Sequence, residues 1–337
     1  MRRFFMSSVI GITIVGFAFA SGQQAADAQA AEEIIIRVGY GTAGGPIHDA
    51  ALEFERLIEA ADSRIDVQVF PGGQLGSEGE IIGQLQAGIT DMLPTTTGPL
   101  GQLNPIYYVL ESPYVFLNEE QADRVLDGEI GKRFLNGLDD IGLIGLAFWE
   151  NGFRQITNNV RPIRSPQDLD GVLLRVQQNQ LHIEYFGSLG ANPTPLAFTQ
   201  VYNALATNVV DGQENPFSLI ATNRFYEQQA YVSKSDHVYS AVPVFFSAAR
   251  WAELPADVQE LVAETVFELR LWQRNRGREL QEQYLTEIST QSEVIELSDV
   301  EKVRFQDAAA DAYQWATQQY GSEYRTLLDQ VIAAASD

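Results

Sequence analysis

The sequence predicts an α/β chain built as two units joined by short crossings and tied together by one long helix. Three observations carry this. The chain has 337 residues, more than one typical core accommodates. A strand–helix–strand–helix pattern opens the chain and restarts after about residue 149, which favours helices flanking a sheet in each unit. A helical periodicity then runs from Pro255 to about Ser289.

The first unit opens with the strand-like run Ile34 to Val38. Gly41 to Gly45 turns the chain, and Pro46 suits a first helical turn. Ile47, Ala51, Phe54, Leu57, Ile58 and Ala61 recur at helical spacing. Ile65, Val67 and Val69 alternate as a second strand, broken at Pro71-Gly72-Gly73. Ser77 and Glu80 form a capping box for the next helix. A buried strand is expected at Leu143 to Trp149.

In the second unit Ser165-Pro166 caps a short helix, Val172 to Val176 is a strand, and Leu181 to Leu189 is helical and ends at Gly190. Thr199 is expected to cap Val201 to Ala206, and Val209-Val210 to open another strand. In the long helical pattern, Val258, Leu261, Val262, Val266, Leu269 and Trp272 form an apolar stripe, resumed at Leu280, Tyr284, Leu285 and Ile288. The polar stretch Arg274 to Arg278 between them reads as an exposed middle spanning two lobes. Ser298 and Glu301 cap a final segment holding Phe305, Tyr313 and Trp315.

Composition narrows the function. The formal charge is −23, from 45 acidic and 22 basic residues, a balance that disfavours nucleic acid and anionic lipid partners. An anionic ligand would have to be held by a few local cations. The sequence contains no cysteine, which removes disulfides, thiolate metal sites and a cysteine nucleophile. Arg2-Arg3, the apolar run Phe4 to Ala20 and the small residues after it have the build of a secretory signal peptide. An exported, periplasmic protein is therefore expected.

Gly39, Gly41 and Gly44 fit the spacing of a dinucleotide fingerprint, but the second strand ends at Phe70-Pro71 without the acidic residue that would bind a ribose. A glycine-rich turn bringing backbone close to a ligand or another segment is the simpler reading. His48, His182 and His237 lack the close spacing of a metal site, so no metal and no cofactor is expected. Asp211 and Glu214 form a conceivable glycosidase pair, explained more cheaply as turn and cap chemistry. Arg175 stands inside the apolar strand Leu173 to Val176 and needs a partner. Residue spacing leaves two candidates open, an internal carboxylate or the carboxylate of a ligand held by the guanidinium fork.

Five segments, in order, resemble the solute-binding proteins of tripartite ATP-independent periplasmic (TRAP) transporters, the DctP family. They are Phe70 to Gly76, Trp149 to Arg154, Arg161-Pro162-Ile163 with Asp168-Leu169, Leu189 to Pro195, and Asp211 to Pro216. The resemblance implies a two-lobed flytrap with a long helix across both lobes. It divides the chain into a signal peptide at 1–30, cleaved between 20 and 31, a first lobe at 31–150 completed by about 238–260, a second lobe at 151–237 completed by about 280–337, and an inter-lobe helix at 255–289. It implies that Arg175 holds a ligand carboxylate in a salt bridge, that Arg154 adds a second cation, and that Asn215 hydrogen-bonds the same carboxylate. Glu78, Trp149, Tyr202 and Phe217 are candidates for the walls that set specificity. The implied ligand is a small dicarboxylate or sugar acid, delivered by a monomer to the membrane subunits of a transporter, without catalysis. The alternatives are a binding protein serving a sensor and an exported enzyme on a two-lobed fold.

Overall fold

A computed structural model describes residues 33–336; the expected signal peptide lies outside the described residues. Among the described residues there are ten strands: β1 (Ile34–Gly39), β2 (Ile65–Phe70), β3 (Met92–Pro94), β4 (Leu143–Asn158), β5 (Leu173–Val176), β6 (Asn192–Pro195), β7 (Gly212–Pro216), β8 (Tyr231–Lys234), β9 (Tyr239–Ser247) and β10 (Glu293–Glu296). The 16-residue strand β4 organises the molecule. Its first part, through Phe153, pairs antiparallel with β9 and completes the sheet β2-β1-β3-β9-β4. Its last part, Arg154 to Asn158, enters the second sheet, with β7, β5 and β6 on one side and β8 and β10 on the other. One continuous strand therefore joins two α/β lobes.

The register of β4 slips between Glu150 and Gly152, where such a bulge bends a strand and sharpens its twist. Gly152 has φ +95, a conformation glycine adopts without the Cβ penalty. The bend thus falls where β4 leaves one sheet for the other.

The long helix runs from Ala256 to Glu279, turns at Leu280 and continues from Gln281 to Ile288. Its first part packs on β4 and on the helix Pro46–Ala61; its second packs on the helix Phe217–Thr222. The expectation of an exposed middle needs correction. Arg274 is 1% exposed, because it bonds Asp123 at 3.0 Å, Asp127 at 2.9 Å and the Phe148 carbonyl at 2.8 Å. Gln273 accepts from the Glu150 amide and donates to the Glu150 carbonyl, at 2.8 and 2.7 Å. Arg278 reaches the Glu150 carboxylate at 2.5 Å. The polar stretch is where the helix grips the crossing strand, and Arg276 is the most exposed of its arginines.

Two local expectations also shift. The Ser298 hydroxyl accepts from the Glu301 amide at 3.3 Å, but the Glu301 carboxylate pairs with Arg304 at 2.9 Å, while the final helix, Asp299–Ser336, breaks at Gly321 and packs on first-lobe helices as well as on the second-lobe helix Gln180–Ser188. Gln200 rather than Thr199 precedes the helix Val201–Ala206, with no side-chain cap, and the strand expected at Val209-Val210 begins at Gly212.

Candidate functional site

A cavity lies between the lobes. The first lobe contributes Tyr40, Gly41, Thr42, Glu78, Thr95 and Thr96; the crossing strand contributes Asn151 and Arg154; the second lobe contributes Arg175, Gln177, Phe198 and Asn215. Hydrogen bonds close it from lobe to lobe, from the Thr96 hydroxyl to Gln177 Oε1 at 2.8 Å and from Gln102 to the Gln178 carbonyl at 2.8 Å. The cavity is small, about 30 Å³, room for a few waters.

Local structure places each wall. The Gly41 turn after β1 brings backbone against the second lobe, where an added Cβ would lie 3.3 Å from the Phe198 ring. The expected capping box is present, with the Ser77 amide bonding Glu80 Oε2 at 2.7 Å. It sets Glu78 in the first turn of the helix Glu78–Gln86, where its Oε1 accepts from the Thr95 hydroxyl at 2.5 Å. Burial raises the Glu78 carboxyl pKa, against the Thr95 hydrogen bond and the charges of Arg175 and Arg154.

Two buried arginines meet different fates. Arg154 Nε and Nη2 both bond the Glu214 carboxylate, the latter at 2.8 Å. Nη2 also reaches the Glu214 carbonyl at 2.6 Å and Asn215 Oδ1 at 3.1 Å. Burial would raise Glu214, but the charge of Arg154 and hydrogen bonds from His237 and Arg154 hold it well below the usual carboxylate range. Arg175, on β5 between β6 and β7, bonds only the Leu196 carbonyl, through Nε at 3.1 Å and Nη2 at 2.7 Å. Its Nη1 is buried with no hydrogen-bond partner among the described residues, and no ion pair joins it to a carboxylate there. Burial pushes its pKa down to about 10, with Glu214 acting upward and Arg154 downward.

Behind this wall, Glu111 is fully buried. It takes the Thr97 hydroxyl at 3.1 Å and Gln177 Nε2 at 3.3 Å, with His182 Nε2 at 3.4 Å. Burial lifts Glu111 to about 7 and drops His182 to about 4.

Of the residues singled out from the sequence, Arg175, Arg154, Asn215 and Glu78 come together at the cavity. Trp149, Tyr202 and Phe217 do not. Trp149 is wholly buried toward the long helix, where its indole N–H donates to the Val266 carbonyl at 3.3 Å. The Tyr202 hydroxyl donates to Glu227 at 3.1 Å within the second lobe. Phe217 opens a helix that packs on Gln281–Ile288 and belongs to the apolar cluster with Val201 and Tyr284. The turn-and-cap account of Glu214 also falls: it lies in β7, fully buried against Arg154 and His237. Asp211 likewise reaches another strand, accepting from the Leu173 amide of β5, 38 residues away, at 2.9 Å. His48 contacts the Tyr40 hydroxyl through Nδ1 at 2.6 Å.

Sequence reasoning missed Tyr40, Thr42, Thr95, Thr96, Gln177 and Phe198. Gln177 had a signal, since it lies two residues beyond Arg175 and so on the same strand face. Phe198 had none, because only the approach of the lobes brings it to Gly41. Among the described residues no group of three or more His, Cys, Asp or Glu is placed to hold a metal, and no helix is long and apolar enough to cross a membrane.

Two α/β lobes, a shared strand, a bridging helix and a polar cavity closed between the lobes define a two-lobed solute-binding protein. Comparison with known proteins gives the same class. The model of the bacterial extracellular solute-binding proteins, family 7, matches residues 39–319, and the chain belongs to that family, the solute-binding proteins of TRAP transporters. The C4-dicarboxylate-binding protein DctB of Bacillus subtilis is 34% identical over 284 residues, 83% of this chain and 81% of its own. The sugar acid binding protein DctPAm of Advenella mimigardefordensis, solved with galactonate, is 35% identical with a TM-score of 0.87, covering 90% of this chain and 98% of its own. A TRAP periplasmic solute-binding protein of Polaromonas sp. JS666, solved with D-erythronate, is 32% identical with a TM-score of 0.84, covering 89% of this chain and 99% of its own.

Proposed function

We propose that this protein captures a small organic acid in the inter-lobe cavity, with Arg175 as the carboxylate anchor, and hands it to TRAP membrane subunits outside the cytoplasm. One observation carries the reading: a guanidinium 2% exposed, with Nη1 buried and unpartnered, lines the cavity. An unsatisfied buried cation is costly unless something completes it. A ligand carboxylate supplies both the charge and the acceptor lone pairs. Arg154 and Asn215 stand beside it, Arg154 bonded to Glu214 and to Asn215 Oδ1, and the Asn215 amide donating to Gln213 Oε1. They shape the anchor and fix its polarity, and Arg154 adds less net charge than the sequence implied. The site works by binding without turnover, and closing the lobes removes water and strengthens the ion pair.

Calorimetric titration of Arg175→Ala tests this against D-galactonate, D-erythronate and succinate, alongside melting of the unliganded protein. Loss of a buried charge partner costs about 3–5 kcal/mol, so the affinity for whichever acid binds should fall roughly a hundredfold to a few thousandfold. Binding within about threefold of wild type would place the anchor elsewhere.

A further inference from the structure

We infer that the cavity selects a monocarboxylate bearing hydroxyl groups over a dicarboxylate, and that Glu78 on the first-lobe wall sets this preference. This rests on the reading of Arg175 as the carboxylate anchor. The lining leaves one cation for a ligand carboxylate, not two. Arg175 is free, Arg154 is already neutralised by Glu214, and Glu78 is the one carboxylate among the described lining residues.

Glu78 is not needed to finish its helix, because Ser77 and Glu80 already make the capping box. One of its oxygens takes the Thr95 hydroxyl; no hydrogen bond or ion pair among the described residues engages the other. On the same wall, Thr42 Oγ1 is buried without a partner among the described residues. The cavity is therefore polarised, with a hydrogen-bond-donating cation on the second lobe and an accepting carboxylate with an unpaired hydroxyl on the first. A ligand hydroxyl can donate to Glu78 and exchange a hydrogen bond with Thr42. A second ligand carboxylate can do neither toward Glu78 without placing like charges together in a site of low dielectric. Such an unfavourable element discriminates between ligands as effectively as an attractive one.

The cavity's small size favours four-carbon probes, and succinate and D-erythronate share that chain length while differing at the distal end. Wild-type protein, titrated with each at neutral pH, should bind D-erythronate at least about tenfold more tightly than succinate. Glu78→Gln keeps the shape and the Thr95 acceptor but removes the charge. It should weaken D-erythronate, tighten succinate and bring the two within about threefold. Thr42→Val, nearly isosteric, should weaken D-erythronate several-fold and leave succinate unchanged. Melting of each unliganded variant identifies any loss of folding, and Thr42→Val keeps the test decisive if Glu78→Gln misfolds. Succinate binding wild type as tightly as D-erythronate, or an unchanged preference in both variants, would overturn the inference while leaving the carboxylate anchor standing. Arg175→Ala binding D-erythronate within about threefold of wild type would overturn the anchor and this inference together.

Discussion

Arg154 and Arg175 are buried to nearly the same degree, 1% and 2% exposed, on neighbouring parts of one sheet. On the crossing strand, Arg154 has its charge matched by Glu214 and its donors spread over Glu214, Asn215 and Ser240. On β5, Arg175 has one backbone carbonyl and a nitrogen with no partner among the described residues. Burial alone does not separate structural from functional cations; the completeness of the partner set does. Where the protein supplies the anion, the arginine holds the fold. Where it does not, as at Arg175, the proposed reading has a ligand supply it.

The strongest way to break this comparison is to take away the internal anion. Glu214→Gln leaves Arg154 buried without a counter-charge and should cost about 3–5 kcal/mol of unliganded stability, read as a lowered urea midpoint. Arg175→Ala should lose affinity on the same scale yet melt close to wild type without ligand. If both variants destabilise the unliganded protein equally, the two arginines do the same job and the distinction fails.

Glu111 sharpens the comparison from the opposite side, as a buried carboxylate with no arginine bonded to it. In the folded protein it keeps its proton up to about pH 7, whereas an exposed glutamate loses it near 4.3. The folded state therefore binds more protons between those values, and stability falls as pH rises through that window. Glu111→Gln removes this dependence. Its stability relative to wild type should rise with pH from about 4.5 to 7, by at most about 1.4 kcal/mol per pH unit. Parallel stability curves would show that Glu111 ionises normally.

Arg175→Lys should give the smallest change. The ammonium keeps the charge and loses the planar fork, so affinity should fall between wild type and alanine, by roughly tenfold. A lysine variant as weak as alanine would make geometry, rather than charge, the whole of the anchor.

Much of the fold was readable because it is written in local signals. The Ser77–Glu80 capping box, Pro46 opening a helix and the alternation of Ile65, Val67 and Val69 each depend on residues a few positions apart. The arginine inside β5 was conspicuous for the same reason, as a charge in an apolar run. Aromatics misled: Trp149, Tyr202 and Phe217 sit near the right segments but face helices, because side-chain direction on β4 and on the helices after Pro216 and Gln200 follows from packing. The polar stretch from Arg274 to Arg278 misled likewise, since its aspartate and glutamate partners lie more than a hundred residues away in the chain.

The sequence by itself determined the α/β class, the segments that carry the family resemblance, the shortage of local cations and the need of Arg175 for a partner. The tertiary structure decided which arginine was already answered. Glu214 and Arg154 are 60 residues apart, and only the antiparallel pairing of β4 with β7 brings them together. It also decided that Glu78 and Thr42 face Arg175 across a closed gap. That is a property of how two lobes meet, and contacts between lobes depend on the summed geometry of the strands, bulge and helix that join them, which no short stretch of residues encodes.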